Sequence, residues 1–532
     1  MNIIKTSSLT LLSALVLASC GASKTAMAPI ANIETIALKN GPIKEDDLKR
    51  WSHLDILKDT IPGMSVDKAY AELIKNKKGT KVIVGVVDSG VDIEHEDLKA
   101  VIWTNTKEIP GNGIDDDNNG YVDDIHGWNF LGDINGENLE MTRIVKKGND
   151  GSDTYKRAKA EFDKEVQEAM AAKQQYDFLY NADKAIRAEL KKENYSVEDL
   201  KALKSTNPQI TQVQPRFVQI LTATPKDKFD EQIKEAKQHF DNQLEYNLNL
   251  EFDGRKIVGD NPDDITDTKY GNNDVVGPVK DGALHGTHVA GIIAQVRGND
   301  LGGDGVANNV QIMAVRAVPD GDEYDKDIAL GIRYAVDNGA KIINGSFGKG
   351  YSPQKEWVYE ALKYAAEKDV LVVLAAGNES TDLDTAERFP NDRIGSEEIS
   401  NNVIKIGALG PKYGTDLLAP FSNYGTQDVD VFAPGVQIYA TIPDNQYKYL
   451  QGTSMASPNV AGVAALIRSY YPSLTAPQVK QILMDSGVPT NIEVVVAGEK
   501  GNKRPFSKAS KSGKMVNAYN ALIMAEQMAK KK

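Results

Sequence analysis

The chain has one cysteine, Cys20, among 532 residues. A single thiol excludes an intramolecular disulfide and the multi-cysteine sets of structural zinc sites. Histidines number six, and none falls in the H-E-x-x-H arrangement of zinc proteases. A basic excess is also missing. Lys and Arg total 62 against 75 Asp and Glu, a net charge of −13, which argues against nucleic acid as a partner because phosphate binding needs a basic patch. The apolar run Leu9 to Ala18 falls short of the roughly 20 residues that cross a bilayer as a helix. Hydrophobic content of 41% and charged content of 26% suit a globular chain with a large buried core.

That apolar run, after the early Lys5, reads as a secretory signal over residues 1–19. It ends in Leu17-Ala18-Ser19-Cys20, similar to the bacterial lipobox, in which small residues suit the peptidase cleft and the thiol accepts lipid. The alternative is an ordinary signal with a chance cysteine. Lipidation at Cys20 implies a membrane anchor, since two or three acyl chains hold stably. A short signal with one lysine points to the outer membrane of a Gram-negative bacterium. Residues 20–50 are polar and mixed and are expected to be a tether.

From Trp51 the pattern tightens. Val66–Ile74 is expected as a short helix, and "KVIVGVVDSGVD" (81–92) as a strand buried on both faces. Residues 136–269 turn charged and helical. Phe162, Val166 and Met170 recur at helical spacing, Ser196 with Asp199 resembles a capping box, and Phe229, Ile233, Ala236, Phe240, Leu244 and Leu248 mark a second long stripe. The two stripes are expected to pack on each other or on the host domain. Strand-like runs then return at 310–318, 341–347, 369–378, 402–409 and 436–442, with helix-like runs between the earlier ones. This alternation predicts an α/β fold with a mostly parallel sheet and helices on both faces, with reactive groups at the carboxyl ends of strands. The expected division is a catalytic domain from 51–135 and 270–532, with 136–269 as a helical insertion.

Three stretches set a reactive residue among small neighbours. Asp88 ends the first strand, His285 opens "HGTHVAG", and Ser454 lies in "GTSMASP" before an apolar helix. Together they supply an orienting carboxylate, a general base and a nucleophile. Singly, each has a plain reading: a turn former, a packed histidine, a helix cap. Jointly, "VVDSGVD", "HGTHVAG" and "GTSMASP", with "AAGN" before the last, resemble the active-site blocks of the subtilisin-like serine proteases, and in the order Asp, His, Ser of that family. The resemblance implies a subtilisin-like three-layer fold. It casts Asp88 as orienter, His285 as base and Ser454 as nucleophile, with Asn378 donating to the oxyanion. It also implies that Ser346, Phe347 and Gly348 pair with the substrate backbone and that Gly377 lines the primary specificity pocket. His288 is then a packed neighbour. Asn459 departs from compact relatives, which often have His there.

The loop Asn112–Asp124 places Asp115, Asp117, Asn119, the Tyr121 carbonyl and Asp123 in the alternating oxygen pattern of an early EF-hand loop, without its final glutamate. Calcium binding is common in subtilases, so Ca²⁺ is expected here, the alternative being a solvated acidic turn. The loop 298–303, with Asn299 and Asp300, is a looser second candidate. Asp88 and His285 lie about 195 positions apart, so the insertion should emerge at the active-site rim. About 30 residues separate Cys20 from Trp51, too few for a conventional pro-domain. The expectation is a monomeric, exported, lipid-anchored serine endopeptidase acting on polypeptides. Its rivals are a narrow processing protease and a non-catalytic surface scaffold.

Overall fold

The computed structural model describes Ile33 and residues 42–531. The expected signal and Cys20 lie outside the described residues. Within the segment expected as a tether, Ile33 is 1% exposed, and Glu45 accepts a hydrogen bond from the Tyr449 hydroxyl (2.7 Å).

Val82–Asp88 is a strand because its β-branched side chains find apolar partners on both faces. Val84 and Val86 pack with Val289, Ala290, Val460 and Ala464 on one side. Val87 packs with Ile328, Ile332 and Val358 on the other. The helices Leu284–Ala294 and Thr453–Tyr470 thus cover one face, and Asp325–Asp337 and Lys355–Glu367 the other. The sheet between them has nine strands. Val82–Asp88 pairs in parallel with Val310–Arg316 and with Ile342–Gly345. Parallel pairing continues from Ile342–Gly345 through Leu371–Ala375 and Val403–Leu409 to Val431–Pro434. The fold is α/β with a mostly parallel central sheet, as expected. Its chain runs outward from the Asp88 strand to both sides, the topology that opens a crevice at the strands' carboxyl ends.

The expected strand at 436–442 is not part of that sheet. Ile438–Ile442 forms an antiparallel hairpin with Gln446–Leu450, while Val431–Pro434 takes the sheet position. A parallel neighbour needs a crossover of a dozen or more residues. Only Gly435 to Gln437 separate the two runs, so the second must leave the sheet. Asp444 and Asn445, both at positive φ (65° and 57°), turn the hairpin.

Residues 140–258 are largely helical. Asp153–Leu190 is a single helix of 38 residues, followed by Val197–Ala202, Pro208–Ala223 and Lys226–Asn242. The Ser196–Asp199 capping box is present. The two long stripes do meet: Phe162 and Val166 share a core with Phe240, Leu244 and Leu248, and Tyr176, further along the first helix, stacks on Phe240 at 5.5 Å between ring centroids. Met170 does not belong to its stripe and is 59% exposed. Steps of four residues advance the direction by about 40° each, so Met170 lies about 80° from Phe162, whereas Ala169 lies about 20° away and is buried. The second stripe outlasts its helix, because Gln243–Asn247 is a π-turn and Leu248 is buried beyond it.

Candidate active site

Asp88 occupies the last position of its strand. His285 lies in the first turn of Leu284–Ala294. They meet because residue 286 is glycine: a Cβ there would stand 2.1 Å from the Gly90 carbonyl oxygen, so any side chain would push helix and strand apart. His285 Nδ1 lies 2.7 Å from Asp88 Oδ1, which also accepts the Ser89 N–H at 2.8 Å. An ionised carboxylate only accepts, so Nδ1 carries the proton and Nε2 of the neutral ring presents its lone pair. Asp88 is 1% exposed, and its Oδ2 is buried without a partner. The His285 side chain remains 36% open to solvent. Burial pushes the imidazole down, but the charge and hydrogen bond of Asp88 prevail, leaving it above its ordinary value.

Ser454 is the second residue of Thr453–Tyr470. Its hydroxyl donates to the Ser346 carbonyl (3.2 Å) rather than to His285. Such contacts often tighten only when substrate is bound. The Ser346 hydroxyl in turn donates to the Ser454 carbonyl (2.9 Å). Asn378 follows the strand Leu371–Ala375 and accepts, through Oδ1, from the Thr453 N–H (2.9 Å) and hydroxyl (3.0 Å). Two donors on one end of the amide identify it as the oxygen. The NH₂ end therefore remains available as a donor. Thr453 Oγ1 also receives the Gly377 N–H (3.0 Å), and Gly377 itself sits at φ +99°, where a side chain would be strained.

Two openings converge on these residues. A cleft of about 1420 Å³ is lined by His285, Ser346, Phe347 and Gly348 and by Glu235 and Gln238 of helix Lys226–Asn242. A smaller cavity of about 210 Å³ is lined by Ser454, Asn378, Gly377, Phe347 and Gly348. The imidazole with its free lone pair thus borders the larger opening and the hydroxyl and amide donor the smaller, and Phe347 and Gly348 line both. That set can pass a proton from a hydroxyl and stabilise a developing oxyanion.

His288 is fully buried. Its Nε2 meets the Lys448 carbonyl at 3.0 Å, and burial above all pushes it down to about 3, so it stays neutral. Asn459 donates to the Pro434 and Met455 carbonyls (3.0 and 3.1 Å). In the acidic loop, Asp115 and Asp117 converge with Glu108, their carboxylate oxygens within 4.8 Å of one another. Asp123 is not in that group: it accepts from the Gly111, Asn112 and Gly113 N–H groups (2.8, 3.2 and 2.8 Å). Asn119 Oδ1 caps the Tyr121 N–H (2.8 Å). In the second loop, Asn299 Nδ2 bonds Asp97 Oδ1 (2.6 Å), and Asp97 Oδ2 is buried with no partner. Asp300 adopts φ 61°.

Sequence reasoning missed Thr453, Glu108, Asp97 and Arg316. Thr453 adjoins the serine and was readable as its neighbour. Glu108 and Asp97 join their loops only through the fold. Arg316, 1% exposed, pairs in register with Asp88. It donates to the carbonyls of Ser89 (3.1 Å), Gly132 (3.3 Å) and Ile134 (2.6 Å) and to Asn129 Oδ1 (3.0 Å). Burial lowers it to about 10. It ties the turn after Asp88 to residues 129–134.

A parallel sheet of this topology, with an Asp-held imidazole, a serine and an asparagine at its carboxyl edge, defines the class of subtilisin-like α/β proteins. The sequence profile of the subtilase family matches residues 79–507, and the chain belongs to that family. It is 47% identical over 188 residues to a thermophilic serine proteinase of Bacillus sp. (strain AK1), covering 35% of this chain and 42% of that one. It is 40% identical over 215 residues to subtilisin DY of Bacillus licheniformis, covering 40% of this chain and 72% of the relative. Thermitase of Thermoactinomyces vulgaris is 40% identical over 191 residues, 36% of this chain and 63% of thermitase. The chain thus spans less than half of the thermophilic proteinase's length.

Proposed function

We propose that this protein is a subtilisin-like serine endopeptidase that hydrolyses polypeptides through an acyl-enzyme. The carrying observation is the Asp88–His285 contact of 2.7 Å on the cleft that Ser346, Phe347 and Gly348 also line. Nε2 of His285 takes the proton of Ser454 as its oxygen attacks the scissile carbonyl. Asp88 holds the ring in the tautomer that leaves Nε2 free and stabilises the imidazolium. Asn378 Nδ2 and the Ser454 N–H receive the oxyanion. The imidazolium gives its proton to the leaving amine, and water activated by His285 then releases the acyl group from Ser454. Ser346, Phe347 and Gly348 align an extended substrate by main-chain bonds, and Gly377 leaves space beside the first pocket. Substrates are unfolded segments or exposed loops.

The same reading includes Ca²⁺ at Glu108, Asp115 and Asp117, whose converging oxygens suit a hard cation. Asn299 and Asp97, with its orphaned oxygen, favour a second site. Bound calcium would cross-link loops and supply stability, not chemistry. Lipidation of Cys20 would anchor the protein, exported and on the outer membrane, with residues 136–269 as an inserted helical element. No helix among the described residues is long and apolar enough to cross a membrane. One observation favours a narrow processing role over broad degradation: helix Lys226–Asn242 lines the same cleft as His285 and is tied to Lys448, 2.8 Å from Glu235.

A fluorophosphonate probe and casein cleavage test this. Labelling of wild type and none of Ser454→Ala is expected. Absence of labelling in folded, calcium-loaded protein would sink the reading. A library of proteome-derived peptides then separates broad from narrow cleavage.

A further inference from the structure

The strand Val403–Leu409 is buried along its whole length, yet its third residue is Lys405. Neighbouring positions obey the sheet's alternation. Ile404 and Ile406 join the core under the Ser454 helix, and Val403 joins the opposite core. Lys405 therefore projects to Val403's side, in register with Leu374 near the carboxyl end of the neighbouring strand Leu371–Ala375. It is 2% exposed and lines the 210 Å³ cavity whose other walls include Ser454, Asn378, Gly377 and Phe389. A buried ammonium is costly unless it is paired.

No hydrogen bond or ion pair holds the Lys405 ammonium among the described residues. Asp392 and Asp428 feel its charge but lie outside ion-pair range of it. Asp428 faces Arg393 instead (3.4 Å). Asp430 spends one oxygen on the Lys405 backbone N–H (2.8 Å) and faces Lys511 at 4.0 Å. These carboxylates offset the charge at longer range, which makes burial tolerable, and leave the three N–H donors unused. The other charged groups lining the cavity are engaged. Lys349 bonds Glu140 (3.0 Å) and Asp325 (2.9 Å), and Glu379 faces Arg388 (3.6 Å).

Ser454 and Asn378 form part of the cavity's wall, so a side chain filling it belongs to the residue whose carbonyl is attacked, the P1 residue. We propose that this cavity is an acidic-residue pocket, in which Lys405 pairs with the carboxylate of a P1 glutamate or aspartate. The inference rests on the peptidase reading and specifies its substrate class. A P1 carboxylate completes the unmade bonds of the ammonium. A neutral amide of the same shape offers one acceptor and no charge, and an aliphatic side chain leaves the ammonium stranded. Sites built around a polar partner reject the analogue that lacks it.

The test is a set of fluorogenic peptides identical except at P1, carrying Glu, Asp, Gln, Leu, Phe or Lys, with the full chain and with Lys405→Met. Wild type should cleave P1 Glu over P1 Gln by roughly 10- to 100-fold in kcat/KM, the size of a charged hydrogen bond. Lys405→Met, which keeps the chain length and drops the charge, should bring that ratio close to one and shift preference towards Leu. Fluorophosphonate labelling of both proteins reports independently on folding and on the serine. Labelling with cleavage preferring Gln, Leu or Phe in wild type overturns the acidic pocket and leaves the peptidase reading standing. A Glu preference that persists in labelled Lys405→Met overturns the assignment to Lys405. No labelling and no cleavage in wild type overturns the peptidase reading, and this inference with it. If Lys405→Met fails to label, the wild-type profile alone decides.

Discussion

The His285 imidazole is pulled two ways: burial disfavours its charged form, and the Asp88 carboxylate favours it more strongly. Its titration therefore lies above the ordinary 6.5. A general base must be neutral, so kcat/KM should rise with pH and level off only above that value, which a pH–rate profile measures. Stability from the same pair runs the other way. It is fully present below the ordinary value and is lost as pH rises through the raised one. Asp88→Asn should lower kcat by about 10⁴-fold, the usual cost of the wrong tautomer. Asn378→Ala should lower kcat by about 100- to 1,000-fold with KM nearly unchanged, a magnitude that belongs to this family's oxyanion donor. Thr453→Val removes one of two hydrogen bonds to Asn378 Oδ1 and should produce a smaller loss of the same kind. Equal losses in kcat and in binding would argue against a role confined to the transition state.

Among the elements, the approach of the His285 helix to the Asp88 strand is the most constrained contact. Gly286→Ala would set a methyl 2.1 Å from the Gly90 oxygen. It should lower stability by about 1–3 kcal/mol and lengthen the 2.7 Å bond, so activity should fall further than the melting temperature suggests. An undiminished kcat would show that the helix can shift without cost. Strands with continuous apolar runs were legible because burial on both faces leaves that imprint. The run 436–442 carries the same imprint for a different reason: Ile438 and Ala440 pack into the main core from outside the sheet. Local pattern reports burial, and sheet membership depends on crossover length. Likewise Phe162 was legible as buried and Met170 was not separable from it, because a short window does not reveal how a stripe drifts over 38 residues.

Across the molecule, the helical segment is bolted by charge to the loop that follows strand Ile342–Gly345. Glu140 lies 2.6 Å from Arg143 and 3.0 Å from Lys349, all three buried, and Lys349 follows Ser346-Phe347-Gly348 directly. Removing one member strands the others, so Glu140→Ala should cost about 3–5 kcal/mol in denaturant unfolding. Burial opposes the Glu140 charge, but Arg143 and Lys349 bring its carboxyl down to about 2. Its stabilising share is present above the ordinary 4.5 and is lost as pH falls towards about 2. A chelator should lower Tm if calcium sits at Glu108, Asp115 and Asp117, and Glu108→Gln should reproduce much of that drop without calcium removal. A Tm indifferent to both would leave those carboxylates a solvated turn.

The α/β class and the family were legible in the sequence alone, and the same blocks nominated Asp88, His285, Ser454 and Asn378. Short blocks of small residues around a reactive group keep their pattern wherever the intervening chain goes. The fold decided what depends on groups far apart in the chain meeting: Gly286 against Gly90, Glu108 beside Asp115, Asp97 beside Asn299, Glu140 beside Lys349, and Lys405 lining the cavity beside Ser454. Each is an electrostatic or steric relation between atoms a few ångströms apart, and separation along the chain carries no information about such distances.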